Sequence, residues 1–586
     1  MPAAISYPGV YIEELPSGVR TITGVATSVA AFVGRTAMGP INTPVSINSF
    51  GDFERRFGGL MADRPLGYAV RDFYLNGGGQ ALIVRLYRDP ANAADAIAAL
   101  SVDGLVFAAA SPGLWGQKLR ATIDAGVSEE ARARLGMQAD DALFNLTIRI
   151  GNTTEKFLNV CLVDNARRID RVLAAESNLV RWGSPTAPDP ATAKMPLLAK
   201  AVTASQALRD ALAANPKVPA DITKAQNDLA KAVLALGDPA NQADIDLSAA
   251  LASGDLAKIA TAKDAVKAAE AAMKGDDGKD LDDAAYIGNQ ANKTGIYALD
   301  SADLFNLLCI PPDGRGISIG ATVYQNAMEY CRQRRAMLLV DSPFEWSANP
   351  VEAPGKAAAG LAALGLSGDA ARNAALYFPP LLEADPLRDG QTDLFVPCGA
   401  VAGIMARTDS SRGVWKAPAG LDAAINGIQG LAVKLNDAEN GMLNPLGINC
   451  LRAFPTNGRV IWGARTLRGA DQLGDEYKYV SVRRTALFIE ESLYRGTQWV
   501  VFEPNDEPLW SQIRLNIGSF MNGLFRQGAF QGKTPAEAYF VKCDKETTPQ
   551  NDINLGIVNI VVGFAPLKPA EFVIVKLQQI AGQIQA

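Results

Sequence analysis

The chain has 586 residues, 48% hydrophobic and 20% charged, with a formal net charge of −6 and no histidine. This size exceeds one ordinary core, so several domains are expected, and the composition is globular. The acidic balance argues against a general nucleic-acid binder, and the missing histidine removes Ser-His-Asp and Cys-His catalysis, His-containing zinc sites and imidazole switches.

In chain order, residues 6–15 open with Pro8-Gly9. Val10, Tyr11 and Ile12 favour a short strand, which on the residues alone is an edge strand of the chain's own sheet. From Thr21 to Asp89 the pattern is α/β. Val29–Gly34 reads as a buried strand, Phe50–Phe57 as a helix capped by Asn48 or Ser49, Pro65–Asn76 as a second helix, and Ala81–Leu86 as the next strand. Gly77-Gly78-Gly79 follows a helix and precedes a strand, the reverse of a phosphate loop, and predicts a helix C-cap and turn.

Residues 100–180 carry strand-like runs at Leu105–Ala109, Leu119–Ile123, Leu143–Ile150 and Glu155–Val163, a small β-rich module. Residues 185–290 are rich in Ala, Lys, Asp and Leu with apolar positions three and four apart, broken at Pro216, Pro219, Gly237-Asp238-Pro239 and Gly275–Gly278. They predict a helical hairpin or small bundle inserted into the fold and exposed outward, either a solvated decoration or a heptad-type partner site. The acidic run Asp276, Asp277, Asp280, Asp282 and Asp283 reads as a solvated, flexible loop or a weak divalent site. Patterning of the α/β kind resumes after Gly295, with strands at Asn306–Pro311 and Ala336–Asp341 around a helix from Thr322 to Arg335. On that helix Arg332, Arg334 and Arg335 suit surface pairing.

The helix predicted from Pro508 to Gln527 has an apolar stripe of Leu509, Trp510, Ile513, Ile517, Phe520, Met521, Leu524 and Phe525, with Ser511, Gln512, Arg514, Ser519, Asn522 and Arg526 opposite. Gly528–Thr534 looks like a nucleotide loop, but only three residues separate its first glycine from Gly532-Lys533, where a phosphate loop needs four. It reads as a turn. Asn554–Gly563 and Glu571–Gln578 are the last strand candidates, and Phe572, Val573, Ile574 and Val575 are apolar on both faces.

Six scattered cysteines without a C-x-x-C pair predict buried free thiols in a reducing compartment. The first residues lack a basic start and an apolar core, so no signal peptide is expected, and no apolar run approaches the ~18 residues of a membrane helix. Folding in the cytoplasm of the producing cell is the expectation.

Several motifs stand in one order: Ser111-Pro112-Gly113-Leu114-Trp115-Gly116, Leu443–Asn449, Trp462-Gly463-Ala464-Arg465-Thr466-Leu467, Val482-Arg483-Arg484, Phe502-Glu503-Pro504-Asn505, Gly528–Gly532 and Pro569-Ala570-Glu571-Phe572. In order and spacing these resemble the tail sheath proteins of contractile phage tails, R-type bacteriocins and related contractile injection systems. The resemblance covers roughly residues 5–180 and 295–580.

The resemblance implies a multidomain α/β or α+β fold. Its discontinuous core is formed by N- and C-terminal parts and interrupted by an outward insertion, with extended terminal arms. The expected division is an N-terminal arm (1–20), a first core part (21–95), a β-rich module (96–184), an Ala-rich helical insertion (185–294), an α/β segment (295–380), a C-terminal core (381–568) and a C-terminal arm (569–586). Val10, Tyr11 and Ile12 at one end and Phe572, Val573, Ile574 and Val575 at the other would add strands to neighbouring subunits. Arg514 and Arg526 would face an inner tube.

The implied function is a contractile sheath subunit. It would polymerise helically, as stacked rings, with the inner tube, baseplate and tail terminator proteins as partners. No catalytic residue, metal or cofactor, no nucleic acid and no membrane insertion is expected. The particle would be a virion tail or a released or anchored contractile device. The rivals are an α/β enzyme with an insertion, which the missing histidine, phosphate loop and G-x-S-x-G elbow disfavour, and a noncontractile shell or adaptor protein.

Overall fold

The computed structural model describes residues 20–127, 129–138, 142–189, 195–214, 217–234 and 236–575. The chain forms two compact units. One takes the chain up to Phe32 with residues 68–82 and 303 onward; the other takes residues 33–67 and 83–302.

The first unit is built on consecutive parallel strands: β1 (Ala30–Gly34), β2 (Leu307–Cys309), β3 (Met337–Asp341), β4 (Ala374–Phe378) and β7 (Ile448–Phe454). The registers run Ala30↔Leu307, Leu308↔Leu338, Leu339↔Ala375 and Leu376↔Ile448. An antiparallel strand, β8 (Gly458–Ile461), pairs with β7. Strands β1 to β4 are buried along their whole length, as strands covered on both faces must be, and their Ala, Leu, Val and Phe runs supply apolar side chains to both. Helix α2 (Ala321–Gln333) connects β2 to β3. Helix α1 (Leu66–Leu75) packs on α3 (Cys398–Arg412): a Cβ at Gly399 would sit 2.0 Å from the Ala69 carbonyl oxygen, so only glycine permits this approach. Beside the main sheet, β5 (Leu381–Asp385) and β6 (Gln391–Phe395) form a hairpin. Helices α4 (Val480–Gly496) and α5 (Glu507–Arg526) and a two-stranded sheet of β9 (Tyr539–Lys542) and β10 (Val561–Phe564) complete the unit.

The second unit holds two three-stranded antiparallel sheets, Ala99–Val102 with Leu105–Ala109 and Val180–Trp182, and Arg120–Asp124 with Leu143–Ile150 and Thr153–Cys161. Phe107, Phe144, Leu146, Ile148 and Phe157 fill the core. Four helices follow, Pro196–Ala213, Pro219–Leu234, Pro239–Ser253 and Leu256–Ala272, packed as two hairpins. Their bases are part of the module's core, through Leu198, Ala201, Leu236, Ala240 and Met273. Buried Arg120 holds the second hairpin by ion pairs to Asp244 (2.7 Å) and Glu270 (2.6 Å).

The structure corrects some local expectations. The acidic loop is not a free, solvated one. Asp277 accepts the Leu114 amide (2.8 Å), its carbonyl is held by Arg35, and the Asp276 carbonyl accepts the Tyr87 hydroxyl (2.9 Å). The loop thereby docks on the Ser111–Gly116 motif, where Trp115 Nε1 donates to the Ser111 and Pro112 carbonyls. Asn554–Gly563 is not one strand: Gln550–Asn554 is a helical turn and only Val561–Phe564 pairs. Ser49 caps the helix Phe50–Phe57, accepting from the Asp52 amide. All six cysteines are free and buried.

Candidate assembly surfaces

Helix α5 starts at Asp506, whose carboxylate accepts the Leu509 amide (3.1 Å), with Pro508 in the first turn. Leu509, Trp510, Ile513, Ile517, Met521 and Leu524 are buried in a cluster with Ile22, Ile489, Ala529 and Phe530. The opposite side is polar apart from Leu515, which is exposed. The two candidate arginines are not equivalent. Arg526 is exposed. Arg514 is half-buried, pairs with Glu507 at 2.6 Å and donates to the Cys543 carbonyl. Twelve residues apart, they stand about 120° apart around the helix and about 18 Å apart along it.

The β9–β10 ribbon lies against the same cluster through Tyr539, Val541, Val562 and Phe564, while Phe540 and Val561 are exposed. Phe530 packs on Phe564 with ring centroids 5.7 Å apart and planes tilted by 43°. Two strands alone are marginal in water, so this ribbon depends on α5, and among the described residues no third strand joins it.

Val10, Tyr11 and Ile12 lie outside the described residues. The chain that follows them is firmly seated. The Arg20 amide donates to Asn516 Oδ1 (3.0 Å), the Arg20 guanidinium lies 4.6 Å over Trp499, and the Val25 amide donates to Ser492 Oγ (3.2 Å). Ile22 is buried against Gly496, where an added Cβ would come within 2.6 Å of it.

At the other terminus Glu571 is gripped by buried Arg465 in a two-pronged fork, Nε to Oε1 and NH2 to Oε2, both 2.7 Å. Asn444 Nδ2 (2.8 Å) and the Tyr479 hydroxyl (3.1 Å) add donors. Burial pushes this carboxyl up, but the Arg465 fork and the Asn444 and Tyr479 bonds outweigh it and hold Glu571 below its ordinary value.

Phe572, Val573, Ile574 and Val575 come next. The predicted strand is absent here: residues 571–575 join no ladder, and these four apolar side chains are 72 to 82% exposed. Residues 576–578 lie outside the described residues. The run is apolar enough for a doubly covered strand, yet among the described residues it pairs with no sheet edge. Tyr479 immediately precedes α4 and Gly496 ends it, so the two terminal segments leave from opposite ends of one helix, about 25 Å apart at 1.5 Å per residue.

The place where a parallel α/β sheet would carry an active site, beyond the carboxyl ends of its strands, is packed shut. Cys309, Asp341, Ser342, Phe378 and Cys398 meet there, all buried. Asp341 accepts the Cys398 amide at the start of α3 (2.9 Å), and burial pushes its carboxyl up to about 7. It serves as an internal cap. Among the described residues no group of three or more Cys, Asp or Glu side chains could hold a metal ion.

Residues 372–467 match the family model of the phage tail sheath protein central domain, and residues 473–580 that of the phage tail sheath C-terminal domain. Over these two stretches the chain is similar to phage tail sheath proteins. Arg465, Glu571, the β9–β10 ribbon and α5 all fall within the matched stretches. The tail sheath protein of Vibrio phage KVP40 is 27% identical over 176 residues, 30% of this chain and 25% of that protein. That of Enterobacteria phage T4 is 27% identical over 131 residues, 22% and 19% of the two chains. The alignments therefore span a quarter or less of these relatives' own lengths.

Among solved structures, the sheath complex of an extracellular contractile injection system (PVC) in its contracted state superposes with a TM-score of 0.52 at 20% identity, covering 98% of both chains. The sheath tail protein of Listeria innocua gives 0.51 at 13%, covering 93% of this chain and 96% of that one. At these identities the likeness is one of fold.

Motif reading found Arg465 and Glu571 as separate landmarks without their pairing. It missed Asn516 and Ile22, which anchor the N-terminal segment. A polar Asn516 inside the apolar stripe of α5 was the available signal.

Proposed function

We propose that this chain is the structural subunit of a contractile tail sheath. It polymerises helically around an inner tube and contracts to drive that tube through a target cell envelope. The observation that carries the reading is the run Phe572–Val575, which lies inside the sheath C-terminal domain yet is solvent-exposed immediately beyond the Glu571 anchor. Four adjacent exposed apolar residues are an interaction site by physical default. Covering them requires a sheet edge on another copy, and the β9–β10 ribbon is a two-stranded acceptor that gains stability from added strands.

An arm donated by each copy to the next is a head-to-tail contact, which propagates as a helix rather than closing. Residues 1–19, with Val10, Tyr11 and Ile12, act as the second arm. Arms rooted at opposite ends of α4 let a subunit join neighbours on two sides and stay joined while subunits rotate. Contraction then releases energy stored in a metastable packing, with no cofactor and no catalytic residue.

The tube is contacted through the polar side of α5, by Arg526 with Arg514 at its flank. Baseplate and terminator proteins bound the polymer at its two ends. The particle assembles in the cytoplasm of the producing cell and acts as a virion tail or as a released or anchored device. Negative-stain microscopy of the chain co-expressed with its tube protein tests the reading. Tubes of two diameters, one long and narrow and one short and wide, support it. Discrete particles only, or tubes of a single diameter under every condition, overturn it.

A further inference from the structure

Between α1 and the β5–β6 hairpin lies a cluster of buried charges that no assembly surface uses. Asp72 is 1% exposed and Glu383 0%. One guanidinium serves both: Arg71 NH2 lies 2.6 Å from Glu383 Oε2, and Arg71 reaches Asp72 Oδ1 only at 3.4 Å. Two further carboxylates and two further arginines complete the cluster. Arg315 donates to Asp385 Oδ2 (2.5 Å) and Asp393 Oδ2 (2.7 Å), Arg388 stands 3.4 Å from Asp393 and 3.7 Å from Asp385, and the Tyr68 hydroxyl donates to Asp385 Oδ1 (2.7 Å).

Helix α3, packed on the other side of α1, brings no balancing charge. Its Arg407 donates to the Ala424 carbonyl (2.7 Å), and Asp409 is paired with Arg484 (2.5 Å). Asn76, also on this side, uses its amide on the Asp72 and Asn426 carbonyls.

The cluster thus sets four carboxyl groups against three guanidinium groups. The imbalance is localised. Asp72 Oδ2 and Glu383 Oε1 are buried and accept no hydrogen bond, and the two carboxyls lie within hydrogen-bonding reach of each other. Two ionised carboxylates in contact in a dry site repel strongly, whereas a single proton between them removes the excess charge and satisfies both orphaned oxygens.

We propose that Asp72 and Glu383 share one proton at neutral pH, forming a proton-dependent clasp that fastens the β5–β6 hairpin to α1. Burial, then repulsion from Asp72, pushes Glu383 well above the ordinary carboxyl range, and burial pushes Asp72 up to about 6. Both shifts are upward, so the folded protein holds a proton that the unfolded chain has released. The clasp is therefore complete at low pH and is lost as pH rises through the folded values. Glu383→Gln supplies the missing N–H without a titratable group.

Two measurements on the full chain test this. At pH 7 the infrared difference spectrum of wild type minus Glu383→Gln should contain a protonated-carboxyl C=O band that is lost on alkaline titration, the buried Asp341 carboxyl being common to both proteins and cancelling. Hydrogen exchange of the amides in 381–395, compared between the two proteins at each pH, should be equal near pH 6. By pH 9 the wild type should exchange about tenfold faster per pH unit beyond the folded value, as one linked proton requires. Absence of any protonated-carboxyl band from the wild type at pH 7, which needs no variant to fold, or its absence from the difference spectrum, would overturn the proposal, as would a wild-type-to-variant exchange ratio that does not change with pH.

Discussion

Arg465 and Glu571, 106 residues apart, are joined by two parallel hydrogen bonds of 2.7 Å each. The pair joins the end of the sheath central domain to the last part of the C-terminal domain. It fixes the point from which Phe572–Val575 project. Asp471 also holds Arg465, at 2.9 Å, so the guanidinium is not stranded if Glu571 is lost. Glu571→Ala should cost about 2–3 kcal/mol, below the ~3–5 kcal/mol typical of an emptied buried pair. Chemical denaturation measures it, and a change under ~0.5 kcal/mol would show the fork to be ornamental.

The same pair sets an acid limit. Glu571 titrates below its ordinary value in the folded chain, so its contribution is present above the unfolded value of about 4.3 and disappears as pH falls through the folded value. The stability gap between wild type and Glu571→Gln should be constant from pH 6 to 8 and should narrow below about pH 4. A gap that widens on acidification would contradict the assignment.

Reversing Arg514 and reversing Arg526 should give different results. Arg514→Glu breaks the Glu507 pair and the bond to the Cys543 carbonyl, so a loss of about 1–2 kcal/mol is expected. Arg526→Glu, on the exposed side, should stay within about 0.5 kcal/mol. Reduced co-assembly with the tube protein in Arg526→Glu therefore reports the tube face directly. Unchanged co-assembly would move that face elsewhere.

Phe502 is fully exposed, with a left-handed backbone at φ 69°, a conformation that costs a bulky side chain about 1–2 kcal/mol. Asn tolerates it. Phe502→Asn should leave the isolated subunit as stable or up to about 1 kcal/mol more stable, measured by thermal unfolding. A destabilised monomer would mean that Phe502 is held by its own chain.

The sequence showed long, uniformly apolar or strongly periodic segments well. The strands around Ala30–Gly34 and Met337–Asp341 and the helix α5 needed only hydrophobicity and a cap to be recognised. What it hid depends on distant partners. The acidic loop at 276–283 looks solvated until Arg35, Tyr87 and Leu114 are brought to it. The Glu571–Gln578 segment looks like a strand because strand propensity is local, whereas the ladder partner is not. The unit boundaries fall inside β1 and inside the strand 81–85, where composition does not change.

The helical hairpins are similarly mixed. Ala-rich composition announced helices, but not that Leu198, Leu236, Ala240 and Met273 would close the β module's core. Deleting 190–290 entirely should therefore expose that core and give insoluble protein. Deleting only about residues 203–231, beyond the packed base, should leave a soluble chain, judged by expression and circular dichroism.

Truncation immediately after Glu571 tests the central claim most directly. It keeps the Arg465 fork and removes the exposed run and all that follows. Electron microscopy and thermal unfolding of the same preparation give both readouts. The account predicts a monomer whose melting temperature is unchanged and which no longer builds tubes. Normal tubes from the truncated chain, or a monomer that unfolds, would contradict it.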